Sequence, residues 1–283
     1  MNNNQATIKP KKKIKNIKYF NNTVNELHAL TNRLFIQSKR RPATLISGII
    51  QPLLWLILFG ALFQNAPVDP LTSNLRYSQF LSPGIIIFTA FTGSINAGLP
   101  LMFDREFGFL NRILVSPLKS KASLINSLII FTAINTIAQT SFIAICSLIM
   151  LKHQIKIISL ILINIIIFLL ILSIASLSIS LACTLPGHIE LLACLLIINL
   201  PILFSSTALA PLSFMPTWLQ ILARINPLTY AIESVRKIYF ETNTYSVINI
   251  WQNINWNNSL YILILIAALS MAGIQKIILH KFE

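Results

Sequence analysis

From Ile157 to Leu185 the chain runs without a single charged residue, and the stretches Ala43 to Phe63, Leu81 to Phe103 and Ser123 to Leu151 do the same. Two further stretches, Ile189 to Ala210 and Leu260 to Ile278, carry one charge each, at Glu190 and Lys276. At about 1.5 Å of rise per residue, helices of these lengths cover the roughly 30 Å hydrocarbon layer of a bilayer. A chain that is 55% hydrophobic and 11% charged holds more apolar surface than a soluble domain of its size can bury. Lipid is therefore the solvent, and six helical spans are expected.

The net charge of +14 does not point to nucleic acid, because ten of the twenty-two basic residues precede Pro42 and most of the others flank apolar runs. Sixteen Lys and Arg fall on the side of the N-terminal tail, the Asp104 to Lys121 loop and the C-terminus, and six fall opposite. With six spans, this asymmetry places both termini in the cytosol, or in the stroma if the membrane belongs to a plastid. The first 18 residues are Asn- and Lys-rich and are expected to form a disordered basic tail rather than a cleavable leader. The abundance of Ile, Asn and Lys reads as an AT-rich genome, plastid or bacterial.

Residues 19–41 change character. Phe20, Val24, Leu27, Leu30 and Leu34 recur every three or four positions, the pattern of an amphipathic helix lying in the membrane interface. Lys39, Arg40 and Arg41 follow, placed to meet anionic headgroups before Pro42 turns the chain into the bilayer. In the second span Ala90, Ser94 and Gly98 form a small-residue stripe, which fits equally well packing within one bundle or contact with a second subunit.

Enzymatic motifs are missing. No GxxxxGK[ST] loop, GxSxG elbow or HExxH pair occurs, so ATP hydrolysis by that phosphate-binding route is not encoded here. Cys146, Cys183 and Cys194 lie in apolar runs with no CxxC spacing, which reads as packing rather than metal or redox chemistry. The carboxylates Asp69, Asp104, Glu106, Glu233 and Glu241 are expected outside the apolar core, so a proton- or sodium-coupled mechanism lacks a mid-bilayer group.

Two polar segments stand out. Asp104 to Pro117 alternates charge with bulky apolar groups, and a short surface helix there would show its charges to a partner and turn Phe107, Leu110 and Leu114 to lipid or neighbouring helices. Pro211 to Phe240 is apolar but broken by Pro216 and Pro227; Asn226 suits a helix start, and Glu233 with Lys237 forms a favourable i, i+4 pair. Such a segment reads as short re-entrant helices before the last span.

Both segments resemble the ABC-2 family of integral membrane proteins, the permease subunits of ATP-binding-cassette exporters. Glu106 to Pro117 is similar to the family's acidic, Gly-containing loop ending in Ser-Pro, and Phe214 to Leu219, Asn226 to Tyr230 and Glu233 to Arg236 are similar to its C-terminal signature. The resemblance implies an all-α membrane protein in which residues 43–283 form the transmembrane domain. It implies that Asp104, Arg105, Glu106, Phe107, Arg112, Ser116 and Pro117 dock a separate ATP-binding subunit. Pro216, Trp218, Asn226, Pro227, Tyr230, Glu233 and Arg236 would make up an external signature segment. It further implies a homodimer in the lipid bilayer, no cofactor of its own, and ATP bound by the partner. The rival readings are a membrane assembly or insertion factor and a secondary transporter, the second of which would show an inverted repeat.

Overall fold

The computed structural model describes residues 19–63, 77–116, 122–151, 156–240 and 256–282. The expected basic tail, Pro117, Asp69 and Glu241 lie outside the described residues. Every regular element among those described is helical.

The amphipathic segment forms α1 (Tyr19–Lys39). Leu34 is buried, while Val24 and Ile36 face outward. Phe35 meets Phe131 edge-on with ring centroids 5.1 Å apart. Helix α2 (Pro42–Leu62) starts with a proline in its first turn, where a missing N–H costs nothing, and the Thr44 hydroxyl donates to the Arg41 carbonyl.

The second span departs from the expected single helix. It begins earlier, as α3 (Tyr77–Ile95), passes through a 3-10 turn at Asn96–Gly98, and continues as α4 (Leu99–Glu106). Pro100 explains the break, since its ring occupies the first turn of a new helix and has no N–H to offer the previous one. The Ser178 hydroxyl stabilises the bend from the neighbouring helix, accepting the Gly98 N–H at 3.0 Å and donating to the Ile95 carbonyl. After α5 (Phe109–Val115), α6 (Ala122–Leu151) and α7 (Ile157–Thr184) are long and apolar. Their hydroxyls are satisfied locally: Thr132 bonds to Leu128 and Ile129, Ser173 to Leu170, and Ser180 to Ser176. Back-bonding of this kind lets a span carry hydroxyls into hydrocarbon at little cost.

The expected fifth span, Ile189 to Ala210, is shorter. Helix α8 (His188–Phe204) ends after Pro201, and residues 205–211 form turns leading to a 3-10 turn (Leu212–Phe214), α9 (Thr217–Ile225) and α10 (Pro227–Phe240). Helix α11 (Trp256–Phe282) closes the chain. Among the described residues, four segments are long and apolar enough to cross a membrane: Pro42–Leu62, Tyr77–Glu106, Ala122–Met150 and Ile157–Thr184. His188–Phe204 and Ser259–Ile274 are shorter apolar helices.

The central helix is α3 with α4. Of its most apolar window 72% is buried, against 11% for α2, so α2 lies at the periphery. The small residues Ala90, Ser94, Ala97 and Gly98 are all buried inside the chain, which resolves the stripe as internal packing. At Gly98 an added Cβ would stand 2.6 Å from the Ser178 carbonyl oxygen and 2.9 Å from Ala182 Cβ. Close approach of backbones supplies the dispersion contacts that hold helices together where lipid removes the hydrophobic drive. Aromatic pairs tie α2 to α3, with Trp55 stacked on Phe88 at 5.5 Å and Phe63 against Tyr77 at 5.2 Å.

Candidate functional site

Two clusters hold the residues singled out from sequence. At the end of the bundle where α1 meets α4 and α5, the loop is a tight helical hairpin rather than a surface helix. Gly108 makes the turn with φ of +70°, a left-handed conformation that residues with a Cβ adopt at a cost. Nothing lies within 4 Å of where its Cβ would be, so strain alone opposes substitution. Gly108→Ala is expected to destabilise the hairpin by about 1 kcal/mol, read as faster proteolysis of the 104–116 segment with an unchanged helical signal.

Three of the hairpin's charges pair within the chain. Asp104 pairs with Arg33 of α1, and the Arg33 guanidinium also lies 4.7 Å from the centroid of the Phe109 ring. Arg105 reaches across to the C-terminus of α7, donating to the carbonyls of Ala182 at 3.1 Å, Pro186 at 2.6 Å, and Leu185. A guanidinium there satisfies carbonyls left without helical partners and complements the negative end of the helix dipole. Glu106 accepts from the backbone N–H of His188 at 2.5 Å and faces its Nδ1 at 2.5 Å, joining the α4 end to the α8 start.

These pairings tie Asp104, Arg105 and Glu106 to other helices of the same chain, with Glu106 still exposed at the surface. Leu110 is buried and Leu114 packs on the core, as an inward apolar face requires. Phe107, by contrast, is 78% exposed, and Asn111, Arg112, Val115 and Ser116 are exposed with it. The free face of the hairpin is thus made of Phe107, Arg112, Val115 and Ser116.

The second cluster is built around the broken segment. Asn226 starts α10 as expected for an Asn before proline: its Oδ1 accepts the Leu228 N–H at 3.0 Å, the first one available beyond Pro227. Its Nδ2 donates to the Ile202 carbonyl at 2.7 Å and to the Ser205 hydroxyl at 3.0 Å, closing the end of α8. Tyr230 donates to the Arg224 carbonyl at 2.7 Å, fastening α10 to α9. Asn226→Ala removes a cap and leaves the Ile202 carbonyl without this donor, so a loss of about 2 kcal/mol is expected. Asn226→Asp keeps the cap alone and should fall between alanine and the parent in thermal midpoint.

Glu233 pairs with Arg236, one turn on, and not with Lys237. The reason is burial, since Arg236 is 3% exposed and lies under α3. Its Nη2 donates to the carbonyls of Thr207 at 3.0 Å and Phe80 at 3.3 Å, and its guanidinium stands 3.8 Å from the centroid of the Phe80 ring. An ionic group expected outside the core is thus inside it, linking α3, α10 and the 205–211 turn. Sequence reading missed the partners Arg33 and His188; Arg33, a cation one position before Leu34 in the apolar recurrence of the amphipathic helix, was the available signal. Pro216 and Trp218 remain exposed, so the signature residues divide into a buried brace and an outward pair.

The family model described as ABC-2 type transporter matches residues 25–240, from α1 to the last residue of α10. A relative in Porphyra purpurea named as a transport permease, ycf38, is 51% identical over 259 residues, covering 90% of this chain and 89% of its own length. A protein of the same name in Cyanophora paradoxa is 49% identical and covers 92% of this chain and 91% of itself. A Mycobacterium tuberculosis protein carrying the name doxorubicin resistance ABC transporter permease protein DrrC is 30% identical over 209 residues, 73% of this chain and 74% of that one. With the match running through both clusters, the chain belongs to the ABC-2 type transporter family of membrane permeases.

Proposed function

We propose that this chain is the membrane subunit of an ATP-driven exporter, working as a homodimer of six-span protomers with α9 and α10 re-entrant, and coupled to a separately encoded ATP-binding subunit. The observation that carries the reading is the α4–α5 hairpin. It is braced from within by Arg33, Arg105 and His188, yet it leaves Phe107 and Arg112 uncovered. A rigid lever with an aromatic and a cation at its tip is what a motor subunit needs to grip and push. Asp104, Arg105 and Glu106 then transmit the push to α1, α7 and α8, while Phe107, Arg112 and Ser116 meet the partner, with Pro117 following at the end of the loop. The permease binds no nucleotide; the partner binds and hydrolyses ATP.

The basic side, which includes α1 and the hairpin, faces the cytosol or stroma. The kinship with the Porphyra purpurea and Cyanophora paradoxa permeases supports a plastid membrane, thylakoid or inner envelope. In this placement Asn226, Pro227, Tyr230, Glu233 and Arg236 hold the external segment while Pro216 and Trp218 face the far interface.

Affinity purification from membranes tests the reading. The chain is expected to bring down an ATP-binding subunit, and Phe107→Asp or Arg112→Glu should lower its capture about tenfold, the equivalent of ~1.4 kcal/mol. Normal membrane insertion with no ATP-binding subunit captured, even after crosslinking from position 112, would overturn it.

A further inference from the structure

A cavity of about 400 Å³ opens between the end of α1, α2, the α3–α4 bend and α6, within the size range of small-molecule sites. Its walls are divided in character. Phe88, Phe103 and Phe131 contribute aromatic surface, while Gln51, Asn96, Asn135 and Gln139 bring side-chain amides from three different helices to one space.

Those amides are short of partners. Asn96 donates to the Thr92 carbonyl at 2.8 Å, which leaves its Oδ1. Gln51, Asn135 and Gln139 make no hydrogen bond among the described residues. Gln139 is 94% buried by its 6% exposure, and its amide points into a gap that glycine leaves: a Cβ on Gly48 would stand 2.8 Å from its Nε2. Thr132, Ser173 and Ser180 bond back to their own helices, whereas these amides, Gln139 buried, Asn135 half-buried and Gln51 and Asn96 exposed, offer donors and acceptors at one place to a polar occupant.

We infer that this cavity seats the head of an amphiphilic molecule, rich in hydroxyls and free of positive charge. Amides donate and accept at once, which is what a hydroxyl does, so each can pair with a hydroxyl in either sense. Among the described lining residues, Arg41 at the rim is the charged one, and no carboxylate is present to meet a cationic head. The amphiphile part follows from α2. Thr44, Ser47 and Gln51 on its cavity side are exposed, so the space opens along that helix. Its outer stripe of Ile46, Ile50, Leu54 and Leu58 is exposed as well, leaving an apolar path for a tail beside a polar seat for the head. The site deepens the exporter reading and rests on it for its meaning, as a seat for cargo on the side of α1.

The full-length chain in phosphatidylcholine nanodiscs, labelled with hexadecyl glucoside bearing a photoreactive diazirine on the sugar, tests the site. Saturable labelling is expected on the peptides containing Gln51 and Asn135 to Gln139. Unlabelled hexadecyl glucoside should compete and hexadecyltrimethylammonium should not. Gln139→Leu and Asn135→Leu should each reduce labelling about fivefold, with Thr92→Val as a third variant should either fail to elute as the parent does. Labelling spread without saturation along the outer stripe of α2, equal competition by the cationic amphiphile, or undiminished labelling in well-behaved variants would overturn the site. Specific labelling without any captured ATP-binding subunit would keep the site and sink the exporter reading. ATP-driven transport by a chain whose cavity never labels would do the reverse.

Discussion

Arg236→Met is expected to cost roughly 3 kcal/mol or more of stability, the usual consequence of deleting one partner of a buried ion pair. The side chain is nearly the size of arginine's aliphatic part, so the loss is of charge and hydrogen bonds and only secondarily of volume. Glu233, whose side chain is 16% exposed, would lose its buried partner, and the carbonyls of Thr207 and Phe80 would lose a donor. The yield of monodisperse protein extracted from membranes and its thermal midpoint should both fall sharply. Arg236→Lys should recover little, because a single ammonium cannot reach a carboxylate and two carbonyls in the planar arrangement that a guanidinium offers. Glu233→Gln combined with Arg236→Met should be more stable than Arg236→Met alone, since the stranded charge is gone. A single variant as stable as the parent would show that Arg236 does not hold α10 to α3.

Gly84→Ala is expected to destabilise by about 1–3 kcal/mol through overpacking. A Cβ at this position would stand 2.5 Å from the Ala208 carbonyl oxygen and 2.8 Å from Ala208 Cα, and both are backbone atoms that no rotamer change can move aside. Helix α3 is the buried centre of the bundle, so the 205–211 turn has to yield. That turn carries Thr207, whose carbonyl Arg236 holds, and Leu209, whose carbonyl accepts from the Tyr77 hydroxyl at 2.8 Å. The effects of Gly84→Ala and Arg236→Met should therefore be less than additive, because each loosens the same contact. Full additivity in thermal midpoints would mean that the turn is held at two independent places.

Much of the architecture was legible in the residue order. Uncharged apolar runs located the spans, and the 3.6-residue recurrence of Leu27, Leu30 and Leu34 located α1, because both signals are local and repeat along one helix. Asn226 followed by Pro227 announced the start of α10 for the same reason, as a cap acts on its own next turn. Where the reading fell short, the missing information was non-local. The break at Asn96–Gly98 depends on Pro100 and on a hydroxyl 80 positions away, Ser178. The small-residue stripe was ambiguous from sequence because composition cannot say which helix approaches it; α7 does, at Gly98.

The two clusters show the division most clearly. The order of residues alone established a membrane-embedded helical chain without a nucleotide loop and picked out the Asp104 to Pro117 and Pro211 to Phe240 segments. It could not say which of their charges are free, since a charge looks the same in sequence whether it meets water or a distant partner. The tertiary structure paired Asp104, Arg105 and Glu106 with Arg33, the α7 terminus and His188, left Phe107 and Arg112 outside without such a pairing, and drew Arg236 under Phe80. The cavity amides followed the same rule: Gln51, Asn96, Asn135 and Gln139 are scattered polar residues in the sequence and become one polar wall only when α2, the α3–α4 bend and α6 pack together.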